Sequence, residues 1–511
     1  MKRTTWALIT VLILALSLSS CNVQAGSTVQ APKPPQATAA PILATEQKPA
    51  SSKQPADNKG TGTSKGSSNA IGQTLDLTVE EHALDIIIGQ PTDHSVVLSL
   101  LADTERDVIL QYSTEGSVST EDTIHLTSNK PYEYTIEGLV ANTNYRYSIL
   151  SKENDLVLEE GQFQTQRAAG SSYVFTIQAD SHLDSNTSID VYVQNLTNQI
   201  SDTPDFMIDL GDTFMTDKYK PYQQALAQYK AQRFYLSIIG KTSPLFLVIG
   251  NHDGETAPRG KNETGINEWS VLQRTTYFPN PSMGTSPLHP TVAQNNATAH
   301  ENYYAWEWGD ALYVVLDPYT YTPAQKSGAE DGWNSTLGKE QYDWLNETLS
   351  TSTAKYKFIF IHQLVGGLGK DGRGGVEAAG LYEWGGNNPD GTYAFDQMRP
   401  GWGKPIHQLL VSYGVNAVFH GHDHLFVRQE LDGITYQEVP QPGSAIVNQT
   451  SSAEEYGYKS GDLLGGPGYL RVLVSPDEVT VDYVRTAIPA SQGNSKIQNG
   501  QVDFSYTISG K

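Results

Sequence analysis

Five short polar blocks hold the residues able to do chemistry: Asp180-Ser181-His182, Gly211-Asp212, Gly250-Asn251-His252-Asp253, Ile361-His362 and Gly421-His422-Asp423-His424. Their carboxylate and amide oxygens and imidazole nitrogens are ligands for hard and borderline cations. One such block means little. Five in order, each closing an apolar run, point to a metal-dependent hydrolase. In an extended segment residues two apart face the same way. Asp180 and His182 are therefore expected to face one ion together, and His422 and His424 likewise. Asp212 is expected to bridge two ions through its two oxygens, with Asn251 and His362 as neutral ligands. This mixed nitrogen and oxygen set suits two divalent ions, with Mn, Fe, Zn or Co favoured over Ca. Such a pair supplies hydroxide near neutral pH and screens the charge that grows on phosphoryl oxygens during in-line attack. His252, next to Asn251 but outside the ligand set, is expected to protonate a leaving alkoxide, a role the imidazole side chain suits, and Asp253 is expected to orient it.

Chemistry at five separated places requires elements that bring them together. Each block follows a short run rich in β-branched and aromatic residues, at 173–178, 206–210, 245–249, 358–361 and 415–419. Such runs read as strands buried on both faces, and sites in α/β sheets gather at the carboxyl ends of strands. Segments 189–200, 222–239, 339–349 and 405–413 carry helical apolar spacing, so the fold class is α/β, strands layered with helices. Runs 469–474 and 479–484, joined by Ser475-Pro476-Asp477, read as a closing hairpin. Residues 487–511 read as a polar C-terminal tail with one possible strand at 502–508. Two long insertions, 254–300 and 366–403, directly follow ligand blocks and are expected to rise over the site. Their Arg259, Lys261, Lys370, Arg373 and Arg399 are candidates for phosphate oxygens, though solvation is the commoner fate of loop cations. For Trp384, Trp402, Tyr382 and Tyr393, packing is favoured over stacking on a base or sugar. His420 and Asp209 read as packing or capping groups, and Asp317 as a turn or supporting residue.

The chain has 511 residues, a formal net charge of −22 and a single cysteine, Cys21, which excludes an intrachain disulfide. So acidic a surface repels polyanions, and no nucleic-acid binding is expected. Residues 1–20 read as a signal peptide: Lys2 and Arg3 precede an apolar core, and Leu18-Ser19-Ser20-Cys21 is similar to the bacterial lipobox. Lipidation at Cys21 and a disordered tether over 21–72 would place the rest at the bacterial cell surface or the periplasmic face of a membrane. From 73 to 168 short alternating runs separated by turn residues predict an all-β sandwich.

The ordered series Asp-x-His, Gly-Asp, Gly-Asn-His-Asp, His and Gly-His-x-His resembles the calcineurin-like metallophosphoesterase superfamily over residues 171–486. The resemblance implies a layered metallophosphoesterase β-sandwich flanked by helices. It implies one metal held by Asp180, His182, Asp212 and His424, and a second by Asp212, Asn251, His362 and His422. It also implies that His252 acts on the leaving group or the phosphate. The stretch 138–147 resembles the tyrosine corner of fibronectin type III domains and the N-terminal domain of purple acid phosphatases. Those phosphatases carry Tyr where this chain has Met215, so their charge-transfer colour is not expected. The expected activity is hydrolysis of small phosphomonoesters or phosphodiesters. The alternatives are a nucleotidase or cyclic-nucleotide phosphodiesterase, and a surface binding protein whose metal site is structural.

Overall fold

A computed structural model describes residues 75, 77–115, 117, 119–256, 264–281, 301–323, 332–447, 450–489 and 496–511. The signal peptide, Cys21 and tether at 1–72 lie outside the described residues, as do Arg259 and Lys261.

The alternating runs of the first part form two antiparallel sheets. β1 (Leu84–Gly89), β2 (Ser95–Ala102) and β5 (Tyr132–Glu137) make one. β3 (Arg106–Ser113), β4 (Thr120–Leu126), β6 (Asn144–Ser151) and β7 (Val157–Gln164) make the other, in the order β4-β3-β6-β7. Their inward residues, among them Ile86, Val96, Leu98, Val108, Leu110, Ile149 and Phe163, share one core. The tyrosine corner is present: Val140 N–H donates to the Tyr145 hydroxyl at 2.9 Å.

The remaining strands form a second, larger sandwich. β8 (Tyr173–Gln178), β9 (Phe206–Asp209) and β10 (Leu245–Leu247) run parallel. In the other sheet β11 (Tyr304–Trp308), β12 (Ala311–Val315), β13 (Tyr356–Phe360), β14 (Ala417–His420), β15 (Phe426–Leu431), β16 (Ile434–Glu438) and β17 (Asp462–Leu464) stand in the order β11-β12-β13-β14-β16-β15-β17. β18 (Gly468–Val474), β19 (Glu478–Arg485) and β20 (Val502–Ser509) extend the first sheet to β10-β9-β8-β18-β19-β20. The two inner faces meet in an aromatic core, with Phe175, Phe206, Tyr313, Phe358, Phe360 and Phe419 fully buried. This is the layered α/β architecture the sequence predicts. The possible strand at 502–508 is present as β20, and it belongs to the sandwich rather than to a polar tail: it pairs with β19 along its length and Ile508 is buried in the core.

Helices cover both outer faces. α1 (Ile189–Ser201), α2 (Leu226–Gly240) and α3 (Ile266–Tyr277) lie on the first sheet, and α4 (Gly338–Thr351) with the helix Ile406–Ser412 on the second. α3 falls inside the stretch read as an insertion; its buried Ile266, Ser270, Val271, Arg274 and Tyr277 mark an amphipathic face. α2 also meets the N-terminal sandwich. Ile87 and Leu101 join the core beneath it, and the buried Arg233 donates to Ser99 O at 2.7 Å and to Tyr277 O. The N-terminal sandwich is therefore docked on the larger one.

That junction carries a pH-dependent contact. His82 packs on the Phe234 ring, its Nδ1–H donates to Glu80 O at 2.7 Å, and Nε2 lies 3.0 Å from Asp85 Oδ1. The Asp85 hydrogen bond, against the opposing effect of burial, pushes the imidazole up to about 9. A folded-state value above the unfolded one, near 6.5, contributes stability below about pH 6.5 that is lost as pH rises through about 9. With the group partly exposed, about 1 kcal/mol is expected. Melting temperature should fall by roughly 2 °C more between pH 6 and pH 9.5 in the wild type than in His82→Gln. Parallel curves for the two proteins would show that the contact contributes nothing.

Candidate metal centre

The parallel strands of both sheets deliver the polar blocks to one edge. Asp180 follows β8, Asp212 follows β9, Asn251 follows β10, His362 follows β13 and His422 follows β14. Hydrogen bonds stitch these strand ends together: Asp180 N to Gly211 O at 2.9 Å, His182 N to Asp212 O at 3.2 Å and Gly421 N to His362 O at 2.9 Å. Gly211 and Gly250 allow the two loops to touch. A Cβ at Gly250 would sit 2.1 Å from Asp212 N, and Gly211 itself has φ +98°. From α2, Gln228 donates to His182 O at 2.6 Å and Gln232 to Thr213 O at 2.9 Å, so the loop carbonyls are satisfied from below.

Two clusters result. Asp180, His182 and His424 form one; Asp212, His362 and His422 form the other, each with its ligand atoms within 4.8 Å of one another. Five of these six residues have left-handed backbone, with φ between 50° and 81°; His362 alone does not. Non-glycine residues seldom adopt it, and it costs on the order of 1–3 kcal/mol each. It also overturns the extended-chain argument. Asp180 and His182 do share a cluster, but His422 and His424 part, one to each. The expectation that Asp212 bridges through both oxygens needs the same correction. Oδ1 accepts the His252 amide at 2.8 Å, and Oδ2 alone faces both clusters, 3.4 Å from His362 Nε2 and 3.7 Å from His182 Nε2.

The donor atoms fit a cation in each cluster. Asp180 Oδ1 and His182 Nε2 are buried without a hydrogen-bond partner, a costly condition that a metal ion relieves. His362 Nδ1–H donates to Leu210 O at 2.8 Å, which leaves Nε2 as an acceptor facing another acceptor, Asn251 Oδ1, at 3.1 Å. Two acceptors in contact call for a cation between them. His422 Nε2–H donates to Asp371 O at 2.7 Å, leaving Nδ1 for a metal. His182 Nδ1 lies 3.4 Å from Asp184 Oδ2, the carboxylate–imidazole arrangement that orients a ligating ring. Burial opposes ionisation of Asp180 and Asp212, but without a metal the facing imidazoles, when protonated, outweigh it and hold both carboxyls well below the usual range, a role a bound cation would take over from the ring protons. The centre therefore presents anionic oxygen to a cation throughout the neutral range.

His252 stands apart from both clusters, about a quarter exposed, with Nε2 4.0 Å from Asp212 Oδ2. Its partner differs from the expected one. Asp253 turns inward and accepts from four backbone amides, those of Gly250, Asp212, Thr213 and Phe214, at 2.7–3.1 Å. It braces the strand-end loops and leaves His252 alone. The carboxylate facing His252 Nδ1, at 3.0 Å, is Asp217, carried by a short turn after the left-handed Met215. Asp184, Asp217 and the carbonyl of Asp371 are the contributors that sequence reasoning missed.

The supporting residues divide clearly. Asp209 accepts from Gln178, Gly211 N–H and Thr213, and burial pushes it up to about 6. Asp317 caps its own turn through Tyr319 and Thr320 amides. His420 is buried against Glu438 at 2.6 Å. Among the insertion cations, Arg399 is committed to Glu383, Trp333 O and Ser335 O, Lys370 is exposed, and Arg373 reaches His422 O and Asp423. Trp384, Trp402 and Tyr382 pack within the insertion or against its neighbours, and Tyr393 is exposed.

Comparison with known proteins agrees with this geometry. Residues 173–426 match the calcineurin-like phosphoesterase family. No curated protein matches the chain in a sequence search. Among solved structures the fold is similar to that of PhoD, with 14% identity, TM-score 0.59, and 83% of this chain and 89% of that one covered. It is also similar to the purple acid phosphatase PPD1 from yellow lupin (Lupinus luteus) seeds, with 14% identity, TM-score 0.55, and coverage of 84% and 74%.

Proposed function

We infer, from a chain whose residues 173–426 form a calcineurin-like phosphoesterase domain, that this metal-dependent phosphoester hydrolase works with two divalent ions on small phosphomonoesters or phosphodiesters. The observation that carries the reading is the single oxygen Asp212 Oδ2, set between two His/Asp clusters beside a histidine that belongs to neither.

The chain's own groups divide the work. Asp180, His182 and His424 would hold one ion; Asn251, His362 and His422 the other; Asp212 would serve both. When bound, such a pair supplies a nucleophilic hydroxide near neutral pH and offsets charge on the phosphoryl oxygens. His252 is placed to carry a proton on Nε2 for the leaving oxygen while Asp217 holds Nδ1. Asp253 fixes the distance between the Asp212 and Asn251 loops through its four amide contacts.

The lipobox-like Leu18-Ser19-Ser20-Cys21 and the polar stretch after it support placement at the bacterial cell surface or the periplasmic face of a membrane, held by lipid on Cys21. The docked N-terminal sandwich would then act as a fixed spacer.

Metal content and turnover on one preparation test the reading. About two ions per chain, with hydrolysis of p-nitrophenyl phosphate or bis-p-nitrophenyl phosphate lost in chelator and restored by metal, is the expected result. The ratio of the two rates assigns the ester class. A protein that binds no metal after reconstitution would overturn it.

A further inference from the structure

The 366–403 insertion does more than border the centre. Leu368 and Arg373 exchange backbone hydrogen bonds at 2.7 and 3.1 Å, closing a tight hairpin whose tip is Gly369-Lys370-Asp371-Gly372. The tip rests on a candidate metal ligand: its Asp371 carbonyl is the acceptor for His422 Nε2–H at 2.7 Å. The hairpin is tightly closed at its base: a Cβ at Gly367 would meet the Gly372 backbone at 2.1 Å, and Gly372 itself has φ +72°.

Arg373 ties this hairpin to the loop that carries His422. One guanidinium nitrogen, Nη1, donates both to His422 O at 3.1 Å and to Asp423 Oδ1 at 2.9 Å. The other oxygen of Asp423 accepts Gly374 N–H at 2.9 Å and the Tyr458 hydroxyl at 2.8 Å. The guanidinium also lies over the Tyr456 ring, 4.0 Å from its centroid. Backbone carbonyl, ring and hairpin are thereby fixed with respect to one another. Among the described residues, His424, two positions on, has no such support. Its ring rests edge-on to His182 and faces Asp180 at 3.4 Å.

We propose that Arg373 is a positioning residue for the ion held by Asp212, His362 and His422, acting through the Asp371 carbonyl that fixes the His422 ring. The inference rests on the two-ion reading above. The physical basis is general: a ligating imidazole needs its second nitrogen bound to fix tautomer and direction, and loss of that support typically costs about 10–100-fold in metal affinity. Here the support comes from an insertion, so among the described residues the two metal positions are unequal: one is braced by the hairpin and the other is not.

The test is metal titration of the full chain, stripped with chelator and followed by calorimetry with Mn²⁺ or Zn²⁺, for wild type and Arg373→Met. Wild type should take two ions; a wild type that does not would defeat the two-ion reading itself, separately from this inference. In Arg373→Met one ion should weaken by about 10–100-fold while the other is held as before. Position is assigned in two backgrounds. With His424→Ala, adding Arg373→Met should weaken the remaining ion. With His362→Ala, adding it should leave the remaining ion unchanged. Melting of the metal-free proteins separates positioning from general destabilisation, and Arg373→Lys, which keeps a donor near His422 O, should recover part of the lost affinity. Unchanged titration in Arg373→Met, or equal weakening of both ions together with a large fall in metal-free melting temperature, would overturn the proposal.

Discussion

Asp212→Asn should lose turnover by about 10³-fold or more, the several kcal/mol that two-ion charge stabilisation supplies at about 1.4 kcal/mol per tenfold, and should lose bound metal with it. The reason is the division of labour between its oxygens. Oδ1 accepts the His252 amide at 2.8 Å, while Oδ2 faces His362 at 3.4 Å and His182 at 3.7 Å. An amide cannot serve both sides. If its nitrogen takes the Oδ2 position, a donor points at both clusters. If its oxygen does, the nitrogen opposes the His252 N–H, donor against donor. The shape is unchanged, so the metal-free protein should melt within a few degrees of wild type. Metal analysis, turnover and melting in chelator on one preparation check this. An Asn variant that keeps two ions and full turnover would show that Asp212 is not shared.

The strand ends were legible because physics restricts them: apolar runs of four to six residues that stop at Gly, Asp or His in an alternating α/β chain leave few other readings. All five runs became strands, and their blocks meet at one edge. What the sequence did not disclose is how the chain leaves each strand. Left-handed backbone at Asp180, His182, Asp212, His422 and His424 replaces extended geometry, and Asp and His carry only a weak preference for it. That single change sends His422 and His424 to different clusters. Asp253 misled for a related reason. Adjacency to His252 suggested contact, yet the turn directs its carboxylate to four amides and leaves His252 to Asp217, thirty-five residues earlier. The Asp371 carbonyl could not be read at all, since a backbone acceptor has no residue signature. α3 was readable in retrospect, with buried Ile266, Ser270, Arg274 and Tyr277 at helical spacing. β20 was legible as a strand, but its alternation through Phe504, Tyr506 and Ile508 already argued for a place in the sandwich rather than in a tail.

The second large effect concerns His252, and its signature lies in the leaving group. A proton donor matters when the departing oxygen is a strong base and hardly at all when it is weak. His252→Ala should therefore slow hydrolysis of an alkyl phosphoester by about 10²–10³-fold, within the range for general acid catalysis. On a p-nitrophenyl ester, whose phenolate departs unprotonated, the loss should be less than about tenfold by the same reasoning. Asp217→Ala removes the carboxylate 3.0 Å from Nδ1 and should reproduce this leaving-group dependence in weaker form, about tenfold on the alkyl ester. Asp253→Asn supplies the contrast. It places an amide donor among four N–H groups and should cost about 2–4 kcal/mol of stability, while what folds keeps the wild-type ratio between the two esters. Plots of log kcat against leaving-group pKa for the three variants would separate the roles. A steeper slope for His252→Ala and Asp217→Ala, with Asp253→Asn parallel to wild type, assigns proton delivery to the His252–Asp217 pair. A steeper slope for Asp253→Asn with Asp217→Ala parallel would return the orienting role to Asp253, against the geometry found here.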